Sequence, residues 1–476
     1  MKKLITLLLL FSFALSGCAA QQQTQDGETL SEVTAEAQSQ LEAGELVMLS
    51  DCTNGGYYMS GYRSSRGVYE CERQSGRFGN YCRIDFIDMQ SASRSPICHL
   101  EGCAHDTPEC GAFIEAASLY RLYNYEDLMF IVYNEPLCDA GDPKRVIRPA
   151  GIDIAEIDGA KRRPLVRYDF EVGADEPEEV SAVRCVGALS ISSPLFCDGR
   201  YLYFFLSEIT GANHVPVESQ TGVYTSAYEY ERYIVTLDLV SGEELSRMPY
   251  RHSLTTASGG TTDLYRGKLL SSGIKLDSNG EPIQSDTDRQ YTICYYTTDL
   301  KTGGESIVFE DEVDMNTDWS DSGDIMIING ELYSARGEAG ALYHYEPDTG
   351  EYVKVFEAPG DWSSFFCDYY GGKYLFTAWL ADGSSAYFIS QSFDSPLEPF
   401  EPLSGPDVNT GRRMLRYLCE SETDFLLCTD YAMLEEPGVS SSGEPCTVGV
   451  IKRTFALISK SDYWSGIPNY RDITEN

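Results

Sequence analysis

The sequence predicts an all-β protein, and its repeats favour a β-propeller of seven blades. Short runs rich in Tyr, Phe, Ile, Val and Leu alternate with turns rich in Gly, Asp, Asn and Ser. One strand after a Gly turn, followed by a Tyr-rich hairpin, recurs at the spacing of a blade rather than of a single hairpin. The spacing of the repeats is also compatible with six or eight blades. Paired β-sandwich domains are the alternative architecture.

The first strand of each unit gives the clearest signal. Several of these apolar and aromatic runs follow a turn dipeptide, such as Asp198-Gly199 or Asn329-Gly330, which is typical of tight hairpins. We interpret the runs as the inner strands of the blades. They cover residues 56–62, 128–133, 200–206, 268–273, 331–335, 373–378 and 424–429.

A second kind of run ends in an acidic residue and a Gly turn, as in residues 233–242, 291–303 and 341–350. The resulting units begin near residues 55, 120, 198, 265, 328, 370 and 420. Seven blades over residues 44–476 average about 62 residues, which exceeds the roughly 40 to 50 typical of propeller repeats. We assign the excess to inserted polar stretches, among them 210–231 and 432–446, although an eighth blade within 140–185 would also account for it.

Both ends of the body are predicted to be strands that close the ring. Residues 46–49 and 454–459 are apolar and strand-like, and their pairing would remove exposed sheet edges. The predicted propeller domain therefore spans residues 44–476.

The N-terminus has the parts of an export signal. Lys2 and Lys3 precede an apolar run over residues 4–15, which is too short for a permanent membrane span. The run ends in Leu-Ser-Gly-Cys18, which resembles the bacterial lipobox. The resemblance implies cleavage after residue 17 and a lipid on Cys18, and residues 18–43 have the polar composition of a flexible tether.

The net charge limits the partners of this chain. It is −38, and removal of residues 1–17 with their two lysines makes it −40. Because such a surface repels phosphate backbones, we expect no nucleic-acid partner. No second apolar run is long enough to span a bilayer, so the lipid on Cys18 is the predicted membrane contact, and the protein is expected to be a monomer.

A cysteine-rich segment is the most distinctive local feature. Fifteen cysteines include Cys18, and three of the other fourteen lie with a histidine in one short stretch as Cys98, Cys103, His105 and Cys110. A Cys98–Cys103 or Cys103–Cys110 disulfide is favoured in an exported chain, with no bound cofactor. The alternatives are a zinc ion, whose preferred ligands are thiolate and imidazole, and reduced core thiols. Buried thiols are also expected at Cys294 and Cys428, inside apolar runs.

Other candidate sites are weaker. The four tryptophans are candidates either for stacking on a sugar or for the core of the propeller, which uses aromatic residues in every blade. Trp319 and Trp362 lie in stretches rich in Asp and Ser, so they are the two expected to be exposed and are the candidates for ligand contact. The acidic stretch 311–324 lacks the register of a calcium loop and is interpreted as a hydrated loop. No Gly-x-Ser-x-Gly, His-Glu-x-x-His or Walker pattern is present, and we assign no catalytic residue.

Together, the lipobox, the segment 98–110 and the ending 455–470 resemble β-propeller lipoproteins of anaerobic Gram-positive bacteria. The resemblance implies a propeller fold and an extracytoplasmic, lipid-anchored location at the cell membrane, and it transfers no catalytic residue. The favoured hypothesis is a non-enzymatic module that binds a protein or glycan ligand at the cell surface. A carbohydrate-active hydrolase or lyase with carboxylates at the propeller centre is the second hypothesis, and a structural role in envelope assembly is the third.

Overall fold

Most of the described residues lie in β-strands, and nearly all of the strand pairs are antiparallel, in this computed structural model. It describes residues 43–53, 61–62, 64–76, 79–115, 120–138, 145–169, 189–218, 224–250, 263–275, 290–314, 325–334, 340–405, 413–439 and 445–476. Residues 43–476 belong to one compact unit. Cys18 and Trp319 lie outside the described residues.

The first half of the chain supplies three blades. Its strands are β1 (Val47–Leu49), β2 (Gly67–Gly76), β3 (Gly79–Asp88), β4 (Ser93–Pro96), β5 (Phe113–Glu115), β6 (Tyr120–Tyr125), β7 (Leu128–Tyr133), β8 (Leu137–Cys138), β9 (Val146–Arg148), β10 (Ala150–Glu156), β11 (Arg163–Tyr168), β12 (Leu189–Cys197), β13 (Tyr201–Glu218), β14 (Tyr224–Asp238) and β15 (Glu244–Pro249). Blade 1 is formed by β2, β3 and β4, with β5 also paired to β3. Blade 2 contains β6, β7, β10 and β11, and blade 3 contains β12 to β15.

The second half supplies four further blades. Its strands are β16 (Asp263–Tyr265), β17 (Lys268–Ile274), β18 (Gln290–Thr298), β19 (Glu305–Asp314), β20 (Ile325–Ile328), β21 (Glu331–Ser334), β22 (Ala341–Glu346), β23 (Glu351–Glu357), β24 (Trp362–Tyr370), β25 (Lys373–Leu380), β26 (Ser385–Ser390), β27 (Glu398–Pro399), β28 (Ser404–Gly405), β29 (Arg413–Met414), β30 (Tyr417–Glu420), β31 (Asp424–Val439), β32 (Pro445–Ser459), β33 (Arg471–Asp472) and β34 (Thr474–Glu475). Blades 4, 5 and 6 are the sheets β16–β19, β20–β23 and β24–β27, and blade 7 is β30–β33. A short helix, α1 (Lys460–Trp464), follows β32.

The predicted seven-bladed propeller is therefore confirmed. An eighth blade was the alternative for residues 140–185. The described part of that stretch, residues 145–169, supplies β10 and β11 of blade 2. Six of the runs predicted as inner strands are strands, but their predicted position is wrong, because each is the second strand of its blade. The seventh run, 56–62, lies largely outside the described residues. The strands that precede them, including β16, β20 and β24, contact one another between neighbouring blades and form the inner ring.

The turn dipeptides explain this order. Arg266-Gly267 joins β16 to β17, and Asn329-Gly330 joins β20 to β21. All four residues have positive φ, between 52° and 78°, as two-residue hairpin turns require. The turns therefore join the first and second strands of a blade.

Ring closure differs from the prediction. Val47–Leu49 pairs with residues 195–197 of β12 in blade 3, not with 454–459. Within residues 454–459, β32 pairs with β31 on one edge and with β33 at residues 456 and 457 on the other, which occupies the place predicted for the N-terminal strand. Instead, the C-terminal Thr474 and Glu475 pair in parallel with Ser93 and Arg94 of blade 1, which joins the last blade to the first.

The core lies between the faces of adjacent blades. On β2, Val68 packs with residues of blade 7 such as Leu457, whereas its neighbour Tyr69 packs with residues of blade 2 such as Ile131. This alternation is the two-residue period of a strand whose two faces are both buried. Each fully buried large side chain contributes about 1.5–3 kcal/mol of transfer free energy.

Candidate metal centre

The cysteine-rich segment is a loop that leaves and rejoins one edge of blade 1. Strand β4 pairs with residues 85–88 of β3, and β5 pairs with residues 81–83 of the same strand. Residues 97–112 connect them. Cys98 therefore lies just after β4, and Cys110 lies just before β5. The loop brings together residues that are twelve positions apart in the chain.

All four candidate ligands meet at one point. One sulfur from each of Cys98, Cys103 and Cys110 and one ring nitrogen of His105 lie within 4.8 Å of one another. The three cysteines are free thiols, and the His105 Nδ1 is 3.4 Å from the Cys110 sulfur. Cys110 is buried, and the other three residues are half-buried. The sequence grouped these residues, but only the fold of the loop brings their donor atoms together.

Backbone amides surround the sulfurs. The N–H of His105 donates to Cys103 Sγ at 3.4 Å, and the N–H of Ala112 donates to Cys110 Sγ at 3.3 Å. Cys98 accepts from the N–H groups of Leu100 and Gly111. Each sulfur thus accepts at least one backbone hydrogen bond, which is the kind of outer-shell contact that orients metal-bound sulfur ligands.

The backbone of the loop is unusual at His105. This residue has φ = 59°, a left-handed conformation that non-glycine residues adopt at a cost. The turns around it are held by Cys103 N–H to Leu100 O at 3.2 Å and Cys110 N–H to Thr107 O at 3.0 Å. The strained residue is the one that directs an imidazole nitrogen toward the sulfurs.

The thiols have different acidities. Burial opposes ionisation of Cys98, but hydrogen bonds from the Leu100 N–H, the Cys110 and Cys103 thiols and the Gly111 N–H lower its pKa below the ordinary value. Burial raises the pKa of Cys110 to about 12. Of these two thiols, Cys98 is therefore the one at which thiolate charge is favoured.

Blade 2 supports the loop from outside. The Arg162 Nη1 donates to Gly111 O at 2.6 Å, and the His99 Nε2 lies 3.2 Å from Asp158 O. Gly159 has φ = 88°, and a Cβ there would lie 2.6 Å from Ile97 O, so the turn packs directly on the start of the loop. The candidate centre thus lies where blade 1 packs on blade 2.

The tryptophan predictions have mixed outcomes. Trp362 is only 8% exposed, so its predicted exposure is wrong. It begins β24 and packs on Phe356, Phe376 and Phe388, since strand pairing turns it into the blade despite its polar neighbours. Trp379, which we did not single out, is 45% exposed. Side chains alternate between the two faces of a strand, so Trp379 lies on the face opposite to the buried Phe376 and Ala378, and this alternation could have identified it from the sequence.

A polar seam joins blades 1 and 7. A cavity of about 430 Å³ there is lined by Glu72, Arg83, Arg94, Lys452, Arg453, Thr454 and Glu475. The cations are matched by buried acids, as in Arg453 Nη1 to Glu70 Oε1 at 2.9 Å and Arg83 Nε to Asp85 Oδ1 at 2.9 Å. Its paired charges indicate a structural network that links the two blades rather than an anion site. Sequence reasoning missed it because its members are hundreds of residues apart.

The seven described blade sheets define the chain as a β-propeller protein. Comparison with solved structures finds distant similarities. Pyrococcus horikoshii acylaminoacyl peptidase is 13% identical with a TM-score of 0.41, covering 90% of this chain and 52% of that one. Acinetobacter baumannii TolB is 12% identical with a TM-score of 0.28, covering 84% and 78%. Porphyromonas gingivalis dipeptidyl peptidase 4 is 10% identical with a TM-score of 0.33, covering 84% and 57%.

This chain spans about half the length of the acylaminoacyl peptidase. No protein-family model matches it, and no curated protein matches it. Within the described ranges, no helix has the length and apolar character needed to cross a membrane.

Proposed function

We propose that this protein is a lipid-anchored, extracytoplasmic β-propeller that binds a protein partner at the cell surface. The lipobox ending in Cys18 and the polar tether support the location. A single structural observation supports the binding role, namely a β-ribbon that extends from blade 7. We call residues 430–439 and 445–454 the ribbon arm; they are the outer parts of β31 and β32.

The ribbon arm has two open edges within the described structure. Strand β30 pairs with β31 only over residues 425–427, and β33 pairs with β32 only at residues 456 and 457. Over residues 432–439 and 445–451, the described strands pair only with each other. Unpaired strand edges carry free backbone donors and acceptors, to which an extended segment of another protein can add as a further strand.

Apolar side chains are exposed along the same ribbon. Met433 is 66% exposed and lies opposite Ile451, which is 41% exposed. Leu434 is also exposed and, as the next residue of the strand, faces the other side. Large apolar side chains beside open strand edges favour a protein ligand, because they supply contact area while the backbone supplies hydrogen bonds.

The base of the arm is held firmly. Arg453 pairs with the buried Glu70, and the Lys452 Nζ lies 3.6 Å from Glu72 Oε1, so two consecutive residues fasten the ribbon to blade 1. A fixed base reduces the entropy that the arm loses when a partner binds. The arm is therefore suited to present a preformed binding edge.

Site-specific photocrosslinking on intact cells tests this proposal. A photoreactive residue at Met433 of the full chain should give a discrete protein adduct, whereas the same residue at Ile467, exposed but outside the arm, should give none. In a Cys18→Ser chain the protein should leave the membrane fraction. Equal adducts from both positions, or no adduct from Met433, would refute the binding role, and retention of the Cys18→Ser chain would refute the lipid anchor.

A further inference from the structure

We propose that Cys98, Cys103, His105 and Cys110 bind one Zn²⁺ ion in a closed, tetrahedral site. The inference is independent of the proposed binding role of the ribbon arm. It rests on the meeting of four donor atoms within 4.8 Å, which no other set of His, Cys, Asp and Glu residues achieves in the described part of the chain.

The distances fit a zinc tetrahedron. Zinc binds sulfur at about 2.3 Å and imidazole nitrogen at about 2.0 Å, which places neighbouring donors about 3.3–3.8 Å apart. The His105 Nδ1 and the Cys110 sulfur are already 3.4 Å apart. The widest separation, at most 4.8 Å, requires a contraction of about 1 Å. Rotations of side chains on an exposed loop can supply that movement.

The donor chemistry selects the metal. Three sulfurs and one nitrogen suit zinc, whereas calcium and magnesium require oxygen ligands. A disulfide would use two of the three sulfurs and leave the third with His105. The structure instead keeps all three as thiols around one point, with a backbone N–H donated to each. Such N–H groups are the outer-shell partners that orient metal-bound thiolates.

Binding is a ligand exchange without electron transfer. The three S–H groups give their protons to solvent, and three Zn–S bonds and one Zn–N bond replace water on the ion. Because the protein fills all four positions, the ion has no open site for a substrate. Its role in this fold would be to fasten the loop.

The position of the loop determines which strands the zinc ion would hold together. Cys98 follows β4 and Cys110 precedes β5, so one ion would connect both strands that pair with β3. Strand β4 also carries the C-terminal strand that closes the ring, and Gly111 accepts the bond from Arg162 of blade 2. Zinc would thus stabilise blade 1 and its contacts with both neighbouring blades.

Metal analysis of the full chain, extracted in detergent without chelators, tests the site. We expect about one zinc per wild-type chain, complete loss in Cys103→Ser and Cys110→Ser, and retention in Cys446→Ser, a half-buried free thiol outside the loop. Fewer than about 0.2 zinc per wild-type chain would reject the site, as would full zinc content in Cys103→Ser.

A second measurement covers the case in which the variants fail to fold. Cobalt added to the metal-free wild-type chain should give sulfur-to-cobalt charge-transfer bands and tetrahedral ligand-field absorption, and zinc should displace both. Absence of these bands would overturn the proposal. A mass lower by two hydrogen atoms, assigned to a disulfide between any two of Cys98, Cys103 and Cys110 in freshly extracted protein, would also overturn the proposal.

Discussion

At the scale of single residues, aspartates hold the turns of the blades. The Asp238 Oδ1 accepts the N–H groups of Val240 at 2.8 Å and Ser241 at 2.9 Å, and Asp299 repeats this pattern with Lys301 and Thr302 in blade 4. An acidic residue followed four positions later by Gly was visible in the sequence. The carboxylate of the acidic residue explains this spacing, because the carboxylate accepts hydrogen bonds from backbone N–H groups that the turn leaves unpaired.

Asp238→Asn should destabilise the protein by about 1–2 kcal/mol at neutral pH, because charged acceptors make stronger hydrogen bonds than neutral ones. Burial alone would raise the pKa of Asp238, but the Ser241 and Val240 N–H groups and the Arg200 guanidinium lower it. Its stabilisation is therefore complete above about pH 5 and is lost as pH falls from the unfolded value, about 3.9, through the folded pKa. Urea unfolding at about pH 7 and about pH 3 measures this difference.

The control for Asp238 is Asp348→Asn. Asp348 is an exposed residue in the corresponding turn of blade 5. Its replacement should change the free energy of unfolding by less than about 0.5 kcal/mol at either pH. A loss for Asp238→Asn that stays constant across this pH range would contradict the role of its charge.

Two tryptophans should differ in their contribution to stability. Trp362→Ala should cost about 3–5 kcal/mol because it leaves a cavity between aromatic rings of blades 5 and 6, whereas Trp379→Ala should cost less than about 0.5 kcal/mol. Chemical denaturation of the two variants measures both costs. A large loss for Trp379→Ala would show that its ring packs on the protein in solution.

At the scale of elements, the sequence located strands better than it ordered them. The run 128–133 coincides with β7, and 373–378 lies within β25. Their place within the blade was wrong because a strand's position depends on which edges its neighbours leave open. The apolar content of a run does not indicate the position of the strand within its blade.

The predicted insertions show a second limit. Residues 432–446 were interpreted as an inserted polar stretch, but most of their described part continues β31 and β32 as the ribbon arm. Stretch 210–231 likewise lies largely in β13 and β14. A two-stranded ribbon has solvent on both faces and needs no alternation of apolar and polar residues, so the pattern that marks a buried strand is absent.

At the scale of the whole molecule, the ring is closed by the last residues of the chain. Thr474 N–H donates to Ala92 O at 2.9 Å, and Asn476 N–H donates to Arg94 O at 2.9 Å. Ile473 packs in the apolar cluster shared by blades 1 and 7. The ion pairs of the polar seam link the same two blades. Closure therefore combines strand pairing, apolar packing and paired charges.

Removal of residues 474–476 should lower the free energy of unfolding by about 1–3 kcal/mol, because two backbone hydrogen bonds across the seam are lost. Thermal melting followed by circular dichroism measures the loss. Thr474→Ala is the matched control, since it keeps the backbone pairing, and it should retain most of the stability. Identical melting of the truncated and wild-type chains would show that the C-terminal strand does not hold the ring.

The sequence by itself determined the all-β class, the seven units, the turn residues and the buried positions of Cys294 and Cys428. These features are local or periodic, because strand faces, tight turns and apolar runs depend on residues a few positions apart. It also predicted the export signal and Cys18, which stay predictions. Only the tertiary structure decided the strand order, the ring closure and the meeting of Cys98, Cys103, His105 and Cys110 at one point. These three features depend on which strand edges and loops the folded chain brings together, and the spacing of residues along the sequence does not encode such long-range contacts.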